Sequence, residues 1–146
     1  MTERRLYLDA NVFIYATEGS AQVSNPLHEL FGLLRSRNGA GVTSELTLAE
    51  VLPKANSAQR RNYLDLLIRS RIFDLHPVSR EILIETAEYR KFALTAKLPD
   101  AIHLVTAIRA GCRTILSADS RLKLPEGYTA LRPNPETLSR LIRELS

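Results

Sequence analysis

The stretch Leu6-Tyr7-Leu8-Asp9-Ala10-Asn11-Val12-Phe13-Ile14-Tyr15 decides how this chain is read. Leu6-Tyr7-Leu8 is a short apolar run and reads as a buried strand. Asp9 closes it. Val12-Phe13-Ile14-Tyr15 then opens a helix or a tight helical turn. Strand, acid, helix is the local grammar of an α/β fold, whose sites form outside the carboxyl ends of the strands. An acid placed there is the thread to follow outward.

The same alternation continues along the chain. Ser24-Asn25-Pro26 reads as a helix start, with Asn25 as cap and Pro26 in the first turn. Leu27, Leu30, Phe31 and Leu34 then make a one-face stripe, and Asn38-Gly39 stops it. Gly41-Val42-Thr43 is a second strand, and Thr43 or Ser44 caps a helix carrying Leu46, Ala49 and Glu50. Pro53 ends that helix, because it removes a donor and clashes with the preceding turn. Ser57 opens another, with Leu64, Leu67 and Ile68 as its buried stripe.

Ile72-Phe73-Asp74-Leu75 is a third strand, closed by Pro77. A long helix is expected from about Ser79 to Ala96. Pro99 starts the next, with Asp100 in its first turn, a stripe of Ala101, Leu104, Val105 and Ile108, and a stop at Gly111. Thr114-Ile115-Leu116 is a short strand leading to Ser117-Ala118-Asp119. A weak strand at Tyr128–Leu131 and a helix from Pro135 finish the chain. Short apolar strands between helices predict an α/β fold with a mostly parallel sheet covered on both faces. The length of 146 residues predicts a single domain spanning 1–146 with a real core.

Composition narrows the function. An apolar fraction of 45% with 25% charged residues is that of a soluble globule. No apolar run nears the roughly 20 residues that cross a bilayer, and the start of the chain carries no secretion pattern. The lone cysteine, Cys112, rules out an internal disulfide and any CxxC metal site. It reads as buried and inert. These features together predict a cytoplasmic protein without membrane partners. The formal charge of +4 favours an anionic partner only mildly on its own.

The acids Asp9, Glu50, Asp100 and Asp119 each sit just past a turning point of the chain. Each alone has a plainer explanation. Asp9 suits a helix cap, Asp100 complements a helix N-terminus, Asp119 suits a turn and Glu50 suits an exposed helix face. Should they meet, repulsion and desolvation would oppose their joint ionisation without a counter-ion. Oxygen-only ligands match Mg²⁺ or Mn²⁺, which activate water and neutralise phosphate charge. Acid at the centre and base around it point to a metal-dependent enzyme acting on a phosphate polyanion.

Leu8-Asp9-Ala10-Asn11-Val12-Phe13-Ile14-Tyr15, Ser44-Glu45-Leu46-Thr47-Leu48-Ala49-Glu50-Val51, Leu98-Pro99-Asp100-Ala101-Ile102-His103-Leu104 and Leu116-Ser117-Ala118-Asp119 together resemble the PIN-domain ribonucleases. Within them, the resemblance is to the VapC-type toxins of toxin–antitoxin pairs. It implies a PIN-like three-layer α/β/α sandwich and Mg²⁺- or Mn²⁺-dependent endoribonuclease activity. It makes Asp9, Glu50, Asp100 and Asp119 the catalytic, metal-binding acids. Asn11 becomes a polar neighbour steadying Asp9, and Ser117 the residue orienting a carboxylate or a water. Ala118 departs from the Asn common at its place. The resemblance further implies a homodimer, an RNA substrate and an antitoxin protein that blocks the site.

Lys54, Arg60 and Arg61 follow the Glu50 helix, and Arg121 and Lys123 follow Asp119. These are the candidate RNA-phosphate contacts, against the plainer reading of solvated surface charge. His103 shares a helix face with Asp100 and reads as packed, with contact to the site as the alternative. His28 and His76 lack partners at metal-ligand spacing and read as structural or exposed. Aromatics are not interleaved with the basic residues, so no base-stacking platform is expected. The rivals are a catalytically silent RNA- or protein-binding module and an aspartate-nucleophile phosphatase. The phosphatase of the haloacid-dehalogenase type wants a second Asp where Asn11 stands.

Overall fold

The computed structural model of the protein describes residues 4–119 and 122–146. Its centre is a five-stranded sheet in the order β3-β2-β1-β4-β5. The strands are β1 (Leu6–Leu8), β2 (Gly41–Ser44), β3 (Phe73–His76), β4 (Thr114–Leu116) and β5 (Thr129–Leu131), and every pairing is parallel. The helices are α1 (Ala10–Glu18), α2 (Ala21–Arg35), α3 (Leu46–Val51), α4 (Ser57–Leu64), α5 (Arg80–Phe92), α6 (Leu98–Arg109) and α7 (Pro135–Leu145). The predicted α/β sandwich with a parallel sheet is the fold observed. No helix among the described residues is long and apolar enough to cross a membrane.

Strand alternation sorts β1 between two layers. Leu6 and Leu8 point into a core built with α1, α2 and α7, where Phe13, Leu27, Phe31 and Leu138 are buried. Tyr7 points to the other face, with Val42, Leu104 and Ile115. That face is covered by α6, which is buried from Ala101 through Ala107 and packs on α5. A helix buried on all sides lies under a second layer, which explains why its apolar residues overrun a single stripe.

The first half of the chain winds outward from β1 through β2 to β3. It then returns to β4 on the other side of β1. The gap between the ends of β1 and β4 is therefore the topological switch point, where open α/β sheets place their sites. Register makes this concrete. Leu8 pairs with Leu116, so Asp9 and Ser117 leave the sheet side by side.

Several local expectations need correction. Helix α2 begins at Ala21, with Ser20 as N-cap, and Pro26 lies inside it; Asn25 caps nothing. The cause is tertiary. A Cβ at Gly19 would run into the Tyr15 carbonyl, so Gly19 permits an abrupt corner. Ser24 Oγ and His28 Nε2 both reach the Ala16 carbonyl at 2.9 Å, tying the first turns of α2 to the end of α1. Ile68 is 48% exposed, because Asp65–Arg69 forms a π turn that rotates it off the stripe and leaves Tyr63 and Leu67 buried. The third strand starts at Phe73, one residue late. Helix α5 stops at Phe92, where Ala93 leaves helical geometry, well short of Ala96.

Other expectations hold. Asn56 and Gln59 close a capping box before Ser57. The cap of α3 differs: Glu45 holds the N-cap position without a side-chain cap bond, Ser44 Oγ accepts from the Leu46 N–H one residue earlier, and Thr43 donates to the Leu8 carbonyl. Cys112 is buried, and desolvation pushes its thiol up to about 11, so it stays protonated and inert.

Candidate active site

Asp9 enters the switch point directly from β1. Its backbone N–H donates to the Leu116 carbonyl at 3.2 Å, which locks the residue to the end of β4. Oδ1 caps α1 by accepting from the Val12 N–H at 3.3 Å, and Oδ2 accepts from Ser117 Oγ at 2.5 Å. The cap reading and the site reading therefore describe one side chain. Asp9 is only 7% exposed. Burial raises its pKa, and the nearby Glu50 charge adds to the rise; Ser117, His103 and the Val12 N–H oppose it.

Ser117 Oγ serves two acids. While donating to Asp9 it accepts the backbone N–H of Asp119 at 3.1 Å. Asp119 in turn meets Asp100, close enough for the two carboxyls to share a hydrogen bond. Asp100 comes from the first turn of α6, where its charge also complements the helix N-terminus. Burial raises its pKa, followed by the Asp119 charge, the shared hydrogen bond and the charge of Asp9. Carboxyls that resist ionising when left alone gain most from a bound cation.

Glu50 arrives on α3 from the far side. Its Oε1 accepts from His103 Nε2 at 2.5 Å, and its side chain is 29% exposed. His103 Nδ1 lies 2.6 Å from the Tyr7 hydroxyl, so the histidine is buried and bonded at both nitrogens. Desolvation, with the charges of Asp9 and Glu50, holds the Tyr7 phenol well above its ordinary pKa.

Glu50, Asp100 and Asp119 line one cavity of about 450 Å³, together with Asn11, Lys97, Pro99 and Ala118. Asp9 adjoins it through Ser117. The structure thus gathers the acids around the switch point. Asn11 stands exposed in the cavity wall, and the hydrogen bonds on Asp9 come from Ser117 and Val12. Lys54, Arg60, Arg61 and Lys123 are exposed outside that wall, and Arg121 lies outside the described residues. His76 bonds Asp74, and His28 bonds the Ala16 carbonyl; neither belongs to the site.

Among the described residues, no three His, Cys, Asp or Glu side chains stand at the spacing that encloses an ion by themselves. The arrangement is an open acidic bowl. That suits a hard cation which keeps part of its water shell and takes a few carboxylate oxygens, the behaviour of Mg²⁺. A second groove of about 440 Å³ lies beside α1, α2 and α4, lined by His28, Arg35, Asn62 and Asp65 among others. Its carboxylate, Asp65, is already paired with Arg69, so it offers no acidic cluster.

Sequence reasoning missed Tyr7 and Lys97. Tyr7 carried a signal: it is the polar-tipped residue of a three-residue buried strand, on the face opposite its two leucines. Lys97 carried a weaker one: it stands at the start of the helix whose first turn holds Asp100.

Residues 6–127 match the PIN domain. No curated protein matches the chain. Among solved structures it is similar to VapBC2 from Rickettsia felis bound to a DNA fragment from their promoter, at 18% identity and a TM-score of 0.65, covering 87% of this chain and 98% of that one. It is also similar to a toxin-antitoxin complex from Klebsiella pneumoniae, at 20% identity and 0.63, covering 88% and 97%. FitAcB from Neisseria gonorrhoeae follows, at 17% identity and 0.57, covering 88% and 97%. At such identities the likeness speaks for the fold.

Proposed function

Because this chain belongs to the PIN domain family, whose members are nucleases, we propose that it is a divalent-metal-dependent endoribonuclease and the toxin of a toxin–antitoxin pair. The observation that carries the proposal is the gathering of Asp9, Glu50, Asp100 and Asp119 at the switch point between β1 and β4. These are oxygen donors alone, and two of the carboxyls are held above their ordinary pKa, so Mg²⁺ or Mn²⁺ fits them.

When bound, such an ion supplies charge neutralisation on the scissile phosphate and a more acidic water. Asp9, Glu50, Asp100 and Asp119 would hold it. Ser117 fixes Oδ2 of Asp9 at the end of β1, beside the bowl. Water attacks phosphorus in line, the bond to the 3′-oxygen breaks, and the product carries a 5′-phosphate. The 2′-hydroxyl takes no part. Asn11 and Lys97 in the wall, with Lys54, Arg60, Arg61 and Lys123 outside it, are the groups available to the RNA backbone, and Arg121 joins them as a candidate on sequence alone.

The antitoxin partner is supported by the solved toxin-antitoxin complexes that share this fold. A homodimer is supported by the exposed Phe92 and Leu94, 82% and 83% accessible at the end of α5. A cytoplasmic setting is consistent with an RNA substrate.

The deciding experiment measures RNA cleavage by wild type, Asp9→Asn and Asp119→Asn, with Mn²⁺ and with EDTA, and maps the product ends. Loss of cleavage in both variants and in EDTA, with 5′-phosphate ends from wild type, is expected. Cleavage by a folded Asp9→Asn protein in EDTA, or 2′,3′-cyclic phosphate ends, would overturn the proposal.

A further inference from the structure

His103 stands in the middle of a buried hydrogen-bond chain that the reaction outlined above does not use. Its Nδ1 is 2.6 Å from the Tyr7 hydroxyl, and its Nε2 is 2.5 Å from Glu50 Oε1. The two rings meet edge-on with centroids 5.8 Å apart. Tyr7 is fully buried and His103 is 4% exposed. The fold places them without slack. Tyr7 is the residue of β1 that faces α6, and His103 is one turn along α6 from Asp100.

The chemistry of the contacts assigns the hydrogens. An ionised carboxylate only accepts, so Nε2 must carry a hydrogen toward Glu50. A neutral imidazole then has its lone pair on Nδ1, which needs a donor, and the Tyr7 hydroxyl is the donor at that position. Both ring nitrogens are committed. His103 therefore has no lone pair for a metal, although it sits beside the acids.

Glu50 is the acid that most needs such a partner. Asp9 is held by Ser117 and Val12, and Asp100 lies against Asp119. Glu50 has a longer side chain on a six-residue helix, α3, and is 29% exposed. Left alone it would spread over several rotamers.

We propose that His103 is a positioning residue: its Nε2–H holds the Glu50 carboxylate toward the acidic bowl, and Tyr7 selects the tautomer that allows it. The inference rests on the metal-site reading of Glu50. Partners that orient a ligating carboxylate typically change metal affinity by about ten- to hundredfold when removed.

The test has two independent arms. Long-range ¹H–¹⁵N spectra of the metal-free wild type should show His103 protonated on Nε2 and bare on Nδ1. In Tyr7→Phe that preference should weaken. Calorimetry with Mn²⁺ should then show binding to wild type, and affinity lowered about ten- to hundredfold in His103→Phe. His103→Gln, whose amide reaches about as far as Nε2 and can donate to Glu50, should recover most of the loss. Near-UV circular dichroism checks that each variant is folded. An Nε2 without hydrogen overturns the inference, as does a folded His103→Phe that binds Mn²⁺ like wild type. A wild type that binds no Mn²⁺ strikes the metal-site reading instead, and the spectra still decide the hydrogen-bond chain.

Discussion

Ser117 Oγ donates to Asp9 Oδ2 at 2.5 Å across the gap between β1 and β4. The bond joins residues 108 apart in sequence, yet it follows from the register, since Leu8 and Leu116 are paired immediately before them. Because the same hydroxyl accepts the Asp119 N–H, one small side chain sets the spacing of two of the acids. A buried carboxylate with one such donor loses much of its compensation when the donor goes.

Ser117→Ala should therefore lower Mn²⁺ affinity and RNA cleavage by about ten- to hundredfold, the usual effect of removing a group that orients a metal ligand. Ser117→Thr keeps the hydroxyl and should stay near wild type. Ser117 is among the groups that favour the charged form of Asp9. Without it, that pKa rises further, and the acidic limb of the cleavage profile should move to higher pH. An Ala variant as active as wild type at every pH would show that the bond is incidental.

Asp100 gives a stability prediction with a definite sign. Its folded pKa lies above the ordinary value of 3.8, through burial and the neighbouring Asp119. A raised carboxyl binds more protons folded than unfolded, so its contribution is most favourable at low pH and is lost as pH rises through the folded pKa. Metal-free Asp100→Asn should then melt above wild type at neutral pH, and the gap should close as pH falls toward 3.8. Saturating Mn²⁺ should reverse the order. A ligand at a hundred times its dissociation constant adds about 2.7 kcal/mol to the protein that binds it, and the variant forfeits most of this. Equal melting curves without metal at neutral pH would refute the account.

Much of this was readable from residue order, and the remainder has identifiable causes. Asp9 and Asp119 sit at strand ends, where local pattern suffices. That they share a hydroxyl requires β1 beside β4, and strand order is set by long-range pairing that no neighbouring residue encodes. Ile68 misled because the expected stripe assumes 3.6 residues per turn, and one wide turn at Asp65–Arg69 breaks the phase. Ser24-Asn25-Pro26 misled because Pro favours a first turn, whereas the α1 contacts had already started the helix five residues before Pro26. Its spacing from Asp100 reads His103 as packed, with site contact as the alternative. It is buried and touches Glu50, and only the position of Tyr7 shows that these two descriptions belong together.

Pro26 itself is testable. It sits at the sixth position of α2, where a residue with an N–H would donate to the Gln22 carbonyl. A proline in a helix interior costs about 3 kcal/mol relative to Ala. Against that, it restrains the unfolded chain, an effect of about 0.4–1 kcal/mol. The helix term is larger, so Pro26→Ala should stabilise the protein by about 2 kcal/mol, the difference of the two. Urea unfolding at constant slope measures it. A lower midpoint would mean that the proline ring makes packing contacts that Ala does not replace.

Lys97 tests how the bowl meets its polyanion. It precedes α6, is exposed, lines the cavity beside Asp100, and has no ion-pair partner among the described residues. A cation beside four carboxylates has a purpose if the substrate is itself anionic: it draws a phosphate to the rim while the acids hold the metal. Each phosphate contact made to single-stranded nucleic acid contributes about 0.7 to the log–log slope of affinity against salt. Lys97→Ala should thus weaken RNA binding, flatten that slope by about this amount, raise KM and leave kcat nearly intact. Lys97→Glu should weaken binding further. Lys54→Ala and Arg61→Ala, outside the cavity wall, should change the slope less. The measurement is RNA affinity over a range of salt concentrations with Ca²⁺ present to slow cleavage. A slope unchanged in Lys97→Ala but lowered in Arg61→Ala would place the RNA path along α4 and away from the α6 rim.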